Sequence, residues 1–468
     1  MRTAILLGVV GCLSASPMAC RPGRARSDAV PPLPPSEPGP SSEPTVPDAS
    51  TASLHADPTA NASPPRAAPD ATAVPPPPAA AEPLTDEEAA ALAGSINGFA
   101  ADFFPHLAAG TTNAAFSPAS LAIALGMTSA GARTETAEEM SRVLHLGDDP
   151  DRTRELLGRL QRLLPRGGDN APIEIFVANR LFGEQSYVFE RPFLDLVATQ
   201  FAAPLEPVDF RSAFEPARTR INAWVSEQTR GRIPLILPEG ALDDLTRLVL
   251  VNAICFKGSW AIEFDEEATT PRPFTLADGS QVDVPTMGRS GRFGFARRGG
   301  AEVLELPYRG GELSMVVVLP PEGAPPDGWA TAEHLAALGS IPETLVHVRL
   351  PRFTIDAAVP RDLKEDLAAL GMPRAFECDA AQFEGIGNPP DPTEHLYLGA
   401  VYHEAFVVVD EKGTEAVAAT SVVGQARGGP PGGPQVFWAN RPFLFFLREQ
   451  RTGLILFAGR VGDPRATS

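Results

Sequence analysis

The sequence contains little cysteine. Only 4 of its 468 residues are Cys, and two of them, Cys12 and Cys20, lie in the N-terminal segment. The other two, Cys255 and Cys378, are far apart in the chain, which excludes a disulfide framework and a zinc knuckle. We predict that both are small buried hydrophobic residues, the usual state of a thiol outside a reactive site.

Positive charge is also scarce, because 39 Lys and Arg stand against 58 Asp and Glu and give a formal net charge of −19. A protein that binds nucleic acid regardless of sequence needs a basic face to replace counterions, so this class is disfavoured. An acidic chain repels copies of itself. We therefore expect no nucleic-acid partner and a monomer.

Catalytic motifs are missing as well. The chain has no G-x-S-x-G elbow, G-x-x-x-x-G-K phosphate loop, H-E-x-x-H zinc helix or G-x-G-x-x-G dinucleotide turn, and its 7 His are scattered. These absences predict no metal and no cofactor, and they favour binding or inhibition over enzymatic catalysis. A catalytic triad assembled from distant residues stays open.

Residues 1–19 are typical of an export signal. A short positive start precedes an apolar run at 4–13 that is far below the roughly 20 residues needed to span a bilayer. Small residues precede Cys12 and Cys20, as in a bacterial lipobox, whose cysteine is lipidated. We predict lipidation of Cys20; the alternatives are Cys12 and ordinary cleavage near Ala19. The protein is then exported, either as a bacterial cell-envelope lipoprotein or as a secreted, extracellular protein.

Residues 20–83 are predicted to be a disordered Pro/Ala-rich linker. They contain almost no large apolar side chains, and 74–81 read VPPPPAAA. This composition cannot bury enough surface to offset the entropy of ordering, and its proline makes it a semi-rigid spacer. With a lipid on Cys20, the segment is a stalk, and the lipid is the only membrane contact that we expect.

Residues 84–468 have a globular composition and are predicted to form one domain. Thr85 is a predicted helix N-cap with acidic residues in the first turn. Helical periodicity recurs at 120–129, 136–144, 153–164, 192–201 and 219–229. Strand-like runs occur at 173–182, 248–256, 313–319, 344–350, 405–409, 443–448 and 453–459. Helices come mainly first and strands mainly last, which predicts an α+β fold.

Five sequence blocks resemble blocks of the serpin family and follow the family's order. They are NAAFSPAS at 113–120, NRLF at 179–182, LVNAICFKGSW at 250–260, DEKGTEA at 410–416, and FWANRPFLFF at 437–446 with Gly459-Arg460 beyond it. The chain is thus similar to the serpins, which are serine protease inhibitors. The resemblance implies helices packed around a large mixed central β-sheet plus smaller sheets, with an exposed reactive loop.

Four polar residues match a buried cluster of the family. Ser117, Ser120, Asn252 and His403 lie in apolar surroundings, and buried polar groups need partners. In serpins the matching residues form a hydrogen-bonded cluster below the opening of the central sheet, called the shutter. Ser117 taken alone is equally compatible with a plain helix N-cap.

Three further residues match the breach, the point at which the reactive loop of serpins first enters the sheet. They are Trp260, Arg352 and Glu411. In the family the Arg and the Glu form a salt bridge. Its contribution depends on burial, because exposed ion pairs are worth little.

The hinge of the reactive loop is predicted to begin at Glu411. Its other residues are Gly413, Thr414, Glu415, Ala416, Val417, Ala418 and Ala419. Strand side chains alternate between faces, so with Thr414 inward the inward set is small and mostly apolar. The resemblance implies that the loop is exposed at first and fills a slot in the sheet after cleavage, without overpacking it. The alternative is a flexible surface loop of low complexity.

The resemblance also identifies the bond that a protease attacks. In the family this bond follows the residue sixteen positions after the hinge glutamate, which here gives Arg427 and Gly428. Arg427 is the only Arg or Lys between Lys412 and Arg441, and arginine fits the pocket of a trypsin-like protease. The implied partner is a trypsin-like serine protease, held as a covalent acyl-enzyme.

Other readings of the loop stay open. Cleavage at Val423 or Ala426 suits an elastase-like protease, and the same loop suits a papain-like cysteine protease. A non-inhibitory serpin that binds at the cell surface is a further alternative, and hydrolase activity is the remotest. The Gly/Pro-rich residues 428–434 exceed the usual family length and leave the fine specificity open.

A row of arginines lies in a predicted helix that resembles the polysaccharide-binding helix of some serpins. They are Arg152, Arg154, Arg159, Arg162 and Arg166. Asp149, Asp151 and Glu155 are interleaved with them, which is typical of a solvated helix face. We therefore do not expect a polyanion to bind there.

Overall fold

The first helix begins where the sequence predicts it. In the computed structural model, which describes residues 82–164, 172–355, 361–388, 395–414 and 433–466, helix α1 spans Asp86–Ala108. Thr85 Oγ1 accepts the N–H of Glu88 at 3.2 Å, and the Glu88 carboxylate accepts the N–H of Thr85 at 2.9 Å. This capping box satisfies two donors that a helix start leaves without partners. The predicted N-cap at Thr85 is confirmed.

Eight α-helices lie in the described part of the chain. They are α1 Asp86–Ala108, α2 Pro118–Ser129, α3 Thr134–Val143, α4 Pro150–Leu163, α5 Arg191–Thr199, α6 Phe210–Gln228, α7 Ala332–Ala337 and α8 Lys364–Leu370. Helix α2 is buried along its whole length, because its residues are small or aliphatic. Helix α6 bends at Ala213, whose backbone angles are not helical.

Sixteen β-strands lie in the same described residues. They are β1 Ala114–Phe116, β2 Ile173–Glu184, β3 Glu206–Val208, β4 Leu248–Ser259, β5 Thr270–Thr275, β6 Gln281–Arg298, β7 Ala301–Pro307, β8 Leu313–Leu319, β9 Glu343–Pro351, β10 Phe353–Ile355, β11 Arg361–Asp362, β12 Val401–Val409, β13 Gly413–Thr414, β14 Gln435–Trp438, β15 Phe443–Glu449 and β16 Ile455–Val461.

Seven strands form the mixed central sheet, in the order β10-β12-β13-β4-β2-β3 with β11 on β12. Strands β2 and β4 form a long antiparallel ladder. Strand β4 also pairs directly with β12, in parallel, from Leu250 opposite Val401 to Cys255 opposite Phe406. The nearly continuous apolar sequence of β4 suits a strand that is covered on both faces. The two-residue strand β13 lies between β12 and β4 at one end of this parallel pair.

The remaining nine strands are hydrogen-bonded in one continuous network, which the long strand β6 divides into two smaller sheets. The first part of β6 pairs with β5 and β9, and its last residues pair with β7. Strand β9 carries β14 in parallel, and β7 continues through β8, β15 and β16 to β1. One strand therefore carries the chain from one small sheet into the next.

The two faces of the central sheet pack against different helices. Helix α6 covers one face, where Ile221 and Val225 contact apolar side chains of β2 and β4 such as Phe176 and Ala253. Helices α1 and α2 and the smaller sheets share one core with the other face, which includes Ile254. Since strand side chains alternate, Asn252 faces the α2 side together with Ile254.

The predicted α+β class and the mixed central sheet with smaller sheets are confirmed. Each predicted helix and strand window overlaps an observed element. The sequence pattern does not predict β5, β6 and β7. Frequent Arg, Gly and Pro obscure the alternation in β5 and β6, and the adjacent apolar residues Val303 and Leu304 interrupt it in β7. Cys255 is buried as predicted, whereas Cys378 is only half-buried.

Candidate functional site

The four predicted shutter residues meet between α2 and the centre of the central sheet. Asn252 Nδ2 donates to Ser120 Oγ at 2.7 Å and to the Ser120 carbonyl at 3.1 Å. Asn252 Oδ1 lies 2.6 Å from His403 Nδ1, and the N–H of Ser117 lies 3.1 Å from His403 Nε2. All four are buried. The side chains of the parallel strands β4 and β12 are therefore hydrogen-bonded to each other and to α2.

Ser117 has both of the roles considered for it. Its Oγ accepts the N–H of Ser120 at 3.1 Å as the N-cap of α2. The same hydroxyl donates to the carbonyl of Leu456 on β16 at 2.6 Å. The cap is thus tied to a smaller sheet as well as to His403, which fixes the start of α2 beneath the central sheet.

The partners of His403 determine its protonation state. Nε2 receives an N–H from Ser117, so it must be the bare nitrogen, and Nδ1 must carry the proton that it donates to Asn252. Burial lowers the pKa of His403 to about 4, although the hydrogen bond to Asn252 acts in the opposite direction. The imidazole is therefore neutral near pH 7, and the shutter cluster contains no charge.

The predicted breach residues surround the turn that follows β12. Trp260 Nε1 donates to the carbonyl of Asp410 at 2.9 Å. Arg352 Nε donates to Glu411 Oε1 at 2.6 Å, and Thr269 Oγ1 donates to the same carboxylate oxygen. The Glu411 side chain is 3% exposed and that of Arg352 is 45% exposed. The ion pair is thus half-buried, so it is not comparable with the exposed pairs that contribute little.

The turn between β12 and β13 is held by its own first residue. Asp410 Oδ1 accepts the N–H groups of Lys412 at 2.9 Å and Gly413 at 3.1 Å, as expected for an aspartate turn. Burial raises the pKa of Asp410, and these two backbone N–H groups oppose the rise. At Gly413 a Cβ atom would lie 1.9 Å from the carbonyl oxygen of Gly258, so only glycine fits.

Gly413 and Thr414 already lie within the central sheet, which corrects the expectation that the whole hinge is exposed before cleavage. Thr414 pairs with Val409 of β12 and with Gly258 of β4. Its side chain is fully buried. The reason is that β12 and β4 separate at this end, and a small residue with two ladder partners fills the space between them.

Tyr308, just beyond β7, belongs to this site but has no signal in the sequence pattern. Its ring stacks on Trp260 with centroids 4.5 Å apart, and its hydroxyl lies 2.7 Å from Thr414 Oγ1. Burial raises the pKa of the Tyr308 hydroxyl, so it stays protonated. Thr414 is 106 residues away in sequence, and no local periodicity links residues so far apart.

Several predicted site residues lie outside the described part of the chain. They are Cys20 and the hinge residues Glu415, Ala416, Val417, Ala418 and Ala419, together with Arg427 and Gly428 of the predicted reactive bond. Their roles stay predictions.

The arginines of α4 are engaged with neighbouring parts of the protein. Arg159 donates to Glu88 at 2.9 Å and to the carbonyl of Pro83 at 2.7 Å, and Arg152 also pairs with Glu88. Arg162 donates to the carbonyl of Thr199 at the end of α5. Arg154 pairs with Asp151, and Arg166 lies outside the described residues. The absence of polyanion binding at these arginines stays a prediction.

No group of three or more His, Cys, Asp or Glu side chains in the described ranges is arranged to hold a metal ion. Among the helices of those ranges, none combines the length and apolar character that crossing a bilayer requires.

Comparisons with known proteins extend over most of the chain. The family model described as "Serpin (serine protease inhibitor)" matches residues 94–464. The chain is 41% identical over 375 residues to a leukocyte elastase inhibitor of Xenopus tropicalis, which covers 76% of this chain and 94% of that protein. It is 37% identical over 380 residues to Antithrombin-III of Mus musculus, covering 78% of this chain and 80% of that protein. These animal relatives give no support to a bacterial lipoprotein-like subtype.

Solved structures show the same fold. Uncleaved ovalbumin superimposes with a TM-score of 0.71 and 28% identity, over 80% of this chain and 100% of that chain. The thermophilic serpin tengpin in its native state superimposes with a TM-score of 0.72 and 27% identity, over 82% of this chain and 96% of that chain.

Replacing His403 by Gln should flatten the pH dependence of stability between pH 6.5 and pH 4. The pKa of His403 is about 4 in the folded protein against an ordinary 6.5, so the unfolded chain takes up a proton first as the pH falls. Wild-type stability therefore decreases from pH 6.5 to pH 4, by roughly 3 kcal/mol from this group, and no further below pH 4. The measurement is the denaturant midpoint of both proteins at each pH.

The control for this experiment is His347→Gln, which replaces a histidine at a half-exposed position of β9, outside the shutter cluster. A constant difference between wild type and His403→Gln over the whole range would contradict the neutral assignment of His403.

Replacing Tyr308 by Phe should weaken the pairing of the hinge residues Gly413 and Thr414 with β12 and β4. The change removes one buried hydrogen-bond partner of Thr414, and such a bond contributes about 0.5–1.5 kcal/mol. Hydrogen exchange at residues 409–414 should accelerate by roughly threefold to tenfold. Tyr187→Phe is the matched control, because its hydroxyl bonds to the carbonyl of Gly387 beyond the opposite end of β2. Equal exchange in wild type and Tyr308→Phe would refute the role of this hydroxyl.

Proposed function

This chain belongs to the serpin family, and on that premise we propose that it traps a trypsin-like serine endopeptidase as a covalent acyl-enzyme. The observation that carries the proposal is the central sheet with its place for one more strand. Strands β12 and β4 lie side by side in parallel, and among the described residues only Gly413 and Thr414 lie between them.

Insertion of the rest of the loop offers a net gain of sheet structure. Strand β13 is antiparallel to both of its neighbours. Extending it would replace one parallel ladder by two antiparallel ladders, and parallel pairing is the slightly weaker kind. The side chain of Thr414 lies on the core face beside Tyr308, which agrees with the inward set expected from the sequence. The extended strand is therefore the more stable arrangement, but it cannot form while the loop is intact and held at both ends.

Cleavage releases this constraint. The protease serine attacks the Arg427 carbonyl, the peptide bond to Gly428 breaks, and Gly428 leaves with a new amino group. Arg427 is then esterified to the serine while the loop enters the sheet. About 14 residues at roughly 3.3 Å each would carry the protease about 45–50 Å. Distortion of the protease oxyanion hole on arrival would slow hydrolysis of the ester by roughly 10²–10³.

Trypsin-like specificity rests on Arg427 alone. A leukocyte elastase inhibitor among the relatives supports the alternative of an elastase-like target cut at Val423 or Ala426. Incubation with a serine protease also tests the other two alternatives. If the target is a papain-like cysteine protease, or if the protein only binds at the cell surface, no covalent complex with a serine protease should form. The relatives named above support an inhibitor rather than an enzyme.

The proposed location of the protein is outside the cell, and it rests on the N-terminal sequence. We propose that residues 1–19 are removed, that Cys20 is lipidated, and that residues 20–83 tether the inhibitor to a cell envelope. Intact mass of the native protein tests this proposal. A diacylglycerol-modified Cys20 is expected, whereas modification of Cys12 or an unmodified start near Ala19 would refute it.

Incubation with trypsin should give a complex that survives denaturing electrophoresis. Arg427→Ala should abolish this complex without changing the thermal midpoint of the intact protein, because it removes only the side chain that the protease pocket binds. Thr414→Arg should be cleaved without forming a complex, because it places a charge at a fully buried position beside Tyr308.

The exposed Arg191 on α5 provides the control variant Arg191→Ala, which should inhibit like wild type. Absence of a covalent complex with any serine protease would refute the inhibitory function. A complex with elastase that persists in Arg427→Ala would instead favour the alternative specificity.

A further inference from the structure

The outer face of β6, β9 and β14 carries a group of basic, aromatic and aliphatic side chains. Trp438 lies directly opposite Arg349, and Val436 lies directly opposite His347. Arg292 of β6 pairs with Leu345, two positions before His347 on β9, and so projects to the same side. The alternate residues of these strands, including Val346, Val348 and Phe437, are buried. We call Arg292, His347, Arg349, Val436 and Trp438 the Trp438 face.

Contacts within this face limit the freedom of its side chains. The Arg349 guanidinium lies 5.4 Å from the centre of the Trp438 ring. His347 Nδ1 lies 2.5 Å from Ser290 Oγ on the neighbouring strand. Val436 remains 47% exposed. Tryptophan and arginine are the residues that most often concentrate binding energy at protein interfaces, and ordered side chains lose little entropy on binding.

The length of the chain places this face close to the predicted reactive bond. Gln435 begins β14, and Arg427 lies eight residues before it. Eight extended residues span at most about 29 Å. A small domain is itself about 30 Å across, and a protease is larger. A protease bound at Arg427 is therefore large enough to reach the Trp438 face.

The charge of the face is opposite to that of the whole chain. Arg292 and Arg349 project from it, and Arg297 lies near its edge with its guanidinium 3.0 Å from Gln435 Oε1. Two of these arginines have carboxylate partners, because Arg292 lies 3.7 Å from Glu343 and Arg297 pairs with Glu302 at 2.9 Å. The excess positive charge of the face therefore lies on Arg349, and in a chain of net charge −19 it complements an acidic partner.

We propose that the Trp438 face is a second binding surface for the target protease, suited to a protease whose surface beside the active-site cleft is acidic. This inference rests on the proposed inhibitory function. The face acts before acylation, because complementary charge accelerates encounter and a buried Trp438 slows dissociation. It adds selectivity among proteases that all accept arginine at the reactive bond.

Anionic and cationic trypsin provide matched probes, since both cut after arginine and differ in surface charge. The measured quantity is the second-order rate constant for reaction with wild type, Arg349→Glu, Trp438→Ala and Arg191→Glu. Wild type should react faster with the anionic enzyme at low salt. Arg349→Glu should lower that rate at least fivefold without slowing the cationic enzyme, and 0.5 M salt should diminish this difference by screening.

Trp438→Ala should slow both trypsins by roughly fivefold or more, the effect expected for an interface hot spot. Arg191→Glu changes the net charge equally at an exposed position of α5 and should have little effect. Rates within twofold of wild type for Arg349→Glu and Trp438→Ala would overturn the proposal. An equal loss in Arg191→Glu would also overturn it, because net charge alone would then explain the result.

Failure of the inhibitory function can be distinguished from failure of this face. If wild type forms no covalent complex, the rate constant for loop cleavage and the Kd for trypsin lacking its serine nucleophile still report on binding. Differences among the variants in those two quantities would support the Trp438 face even then. Identical values for all variants would refute it.

Discussion

The direct parallel pairing of β12 with β4 is the constraint on which the rest of this structure depends. The two strands share backbone hydrogen bonds over Val401–Phe406 and Leu250–Cys255, and the His403–Asn252 bond joins their side chains in the middle of that stretch. In the proposed insertion, the entering strand would have to break both the backbone ladder and the His403–Asn252 hydrogen bond. The neutral His403 makes this possible without separating charges, and Ser117 and Ser120 hold the cluster from the α2 side.

At the C-terminal end of β12 and β4, the two strands are already separated by two residues. The Asp410 turn directs Gly413 and Thr414 between the strands, and the stacked Trp260 and Tyr308 rings accept them. The buried carboxylate of Glu411 fixes the start of that turn against the partly exposed Arg352. The breach and the shutter therefore lie at two positions along the boundary between β12 and β4. At the breach, Gly413 and Thr414 lie between the two strands. At the shutter, the two strands are still paired directly. On the proposed function, this arrangement leaves a place for a longer β13 once the loop is cut.

The sequence predicted helices α1 to α6 and the central strands β2, β4 and β12, because their apolar patterns are local. It did not predict the short elements α7, α8, β3, β10 and β11. Resemblance to a family identified the shutter, and no periodicity could have done so, because Ser117 and His403 are 286 residues apart and Asn252 and His403 are 151 apart. Tyr308 was missed for the same reason. The seating of Thr414 was also missed, because it depends on how far β12 and β4 diverge, which is a property of the assembled sheet.

Cleavage near Arg427 followed by measurement of the denaturant midpoint tests the central claim most directly. A strand of about 14 residues contributes many ladder hydrogen bonds at about 1 kcal/mol each, so the nicked protein should unfold at a clearly higher denaturant concentration than the intact protein. The account predicts that rise even though a peptide bond has been lost. A midpoint that stays the same or falls after the cut would contradict it.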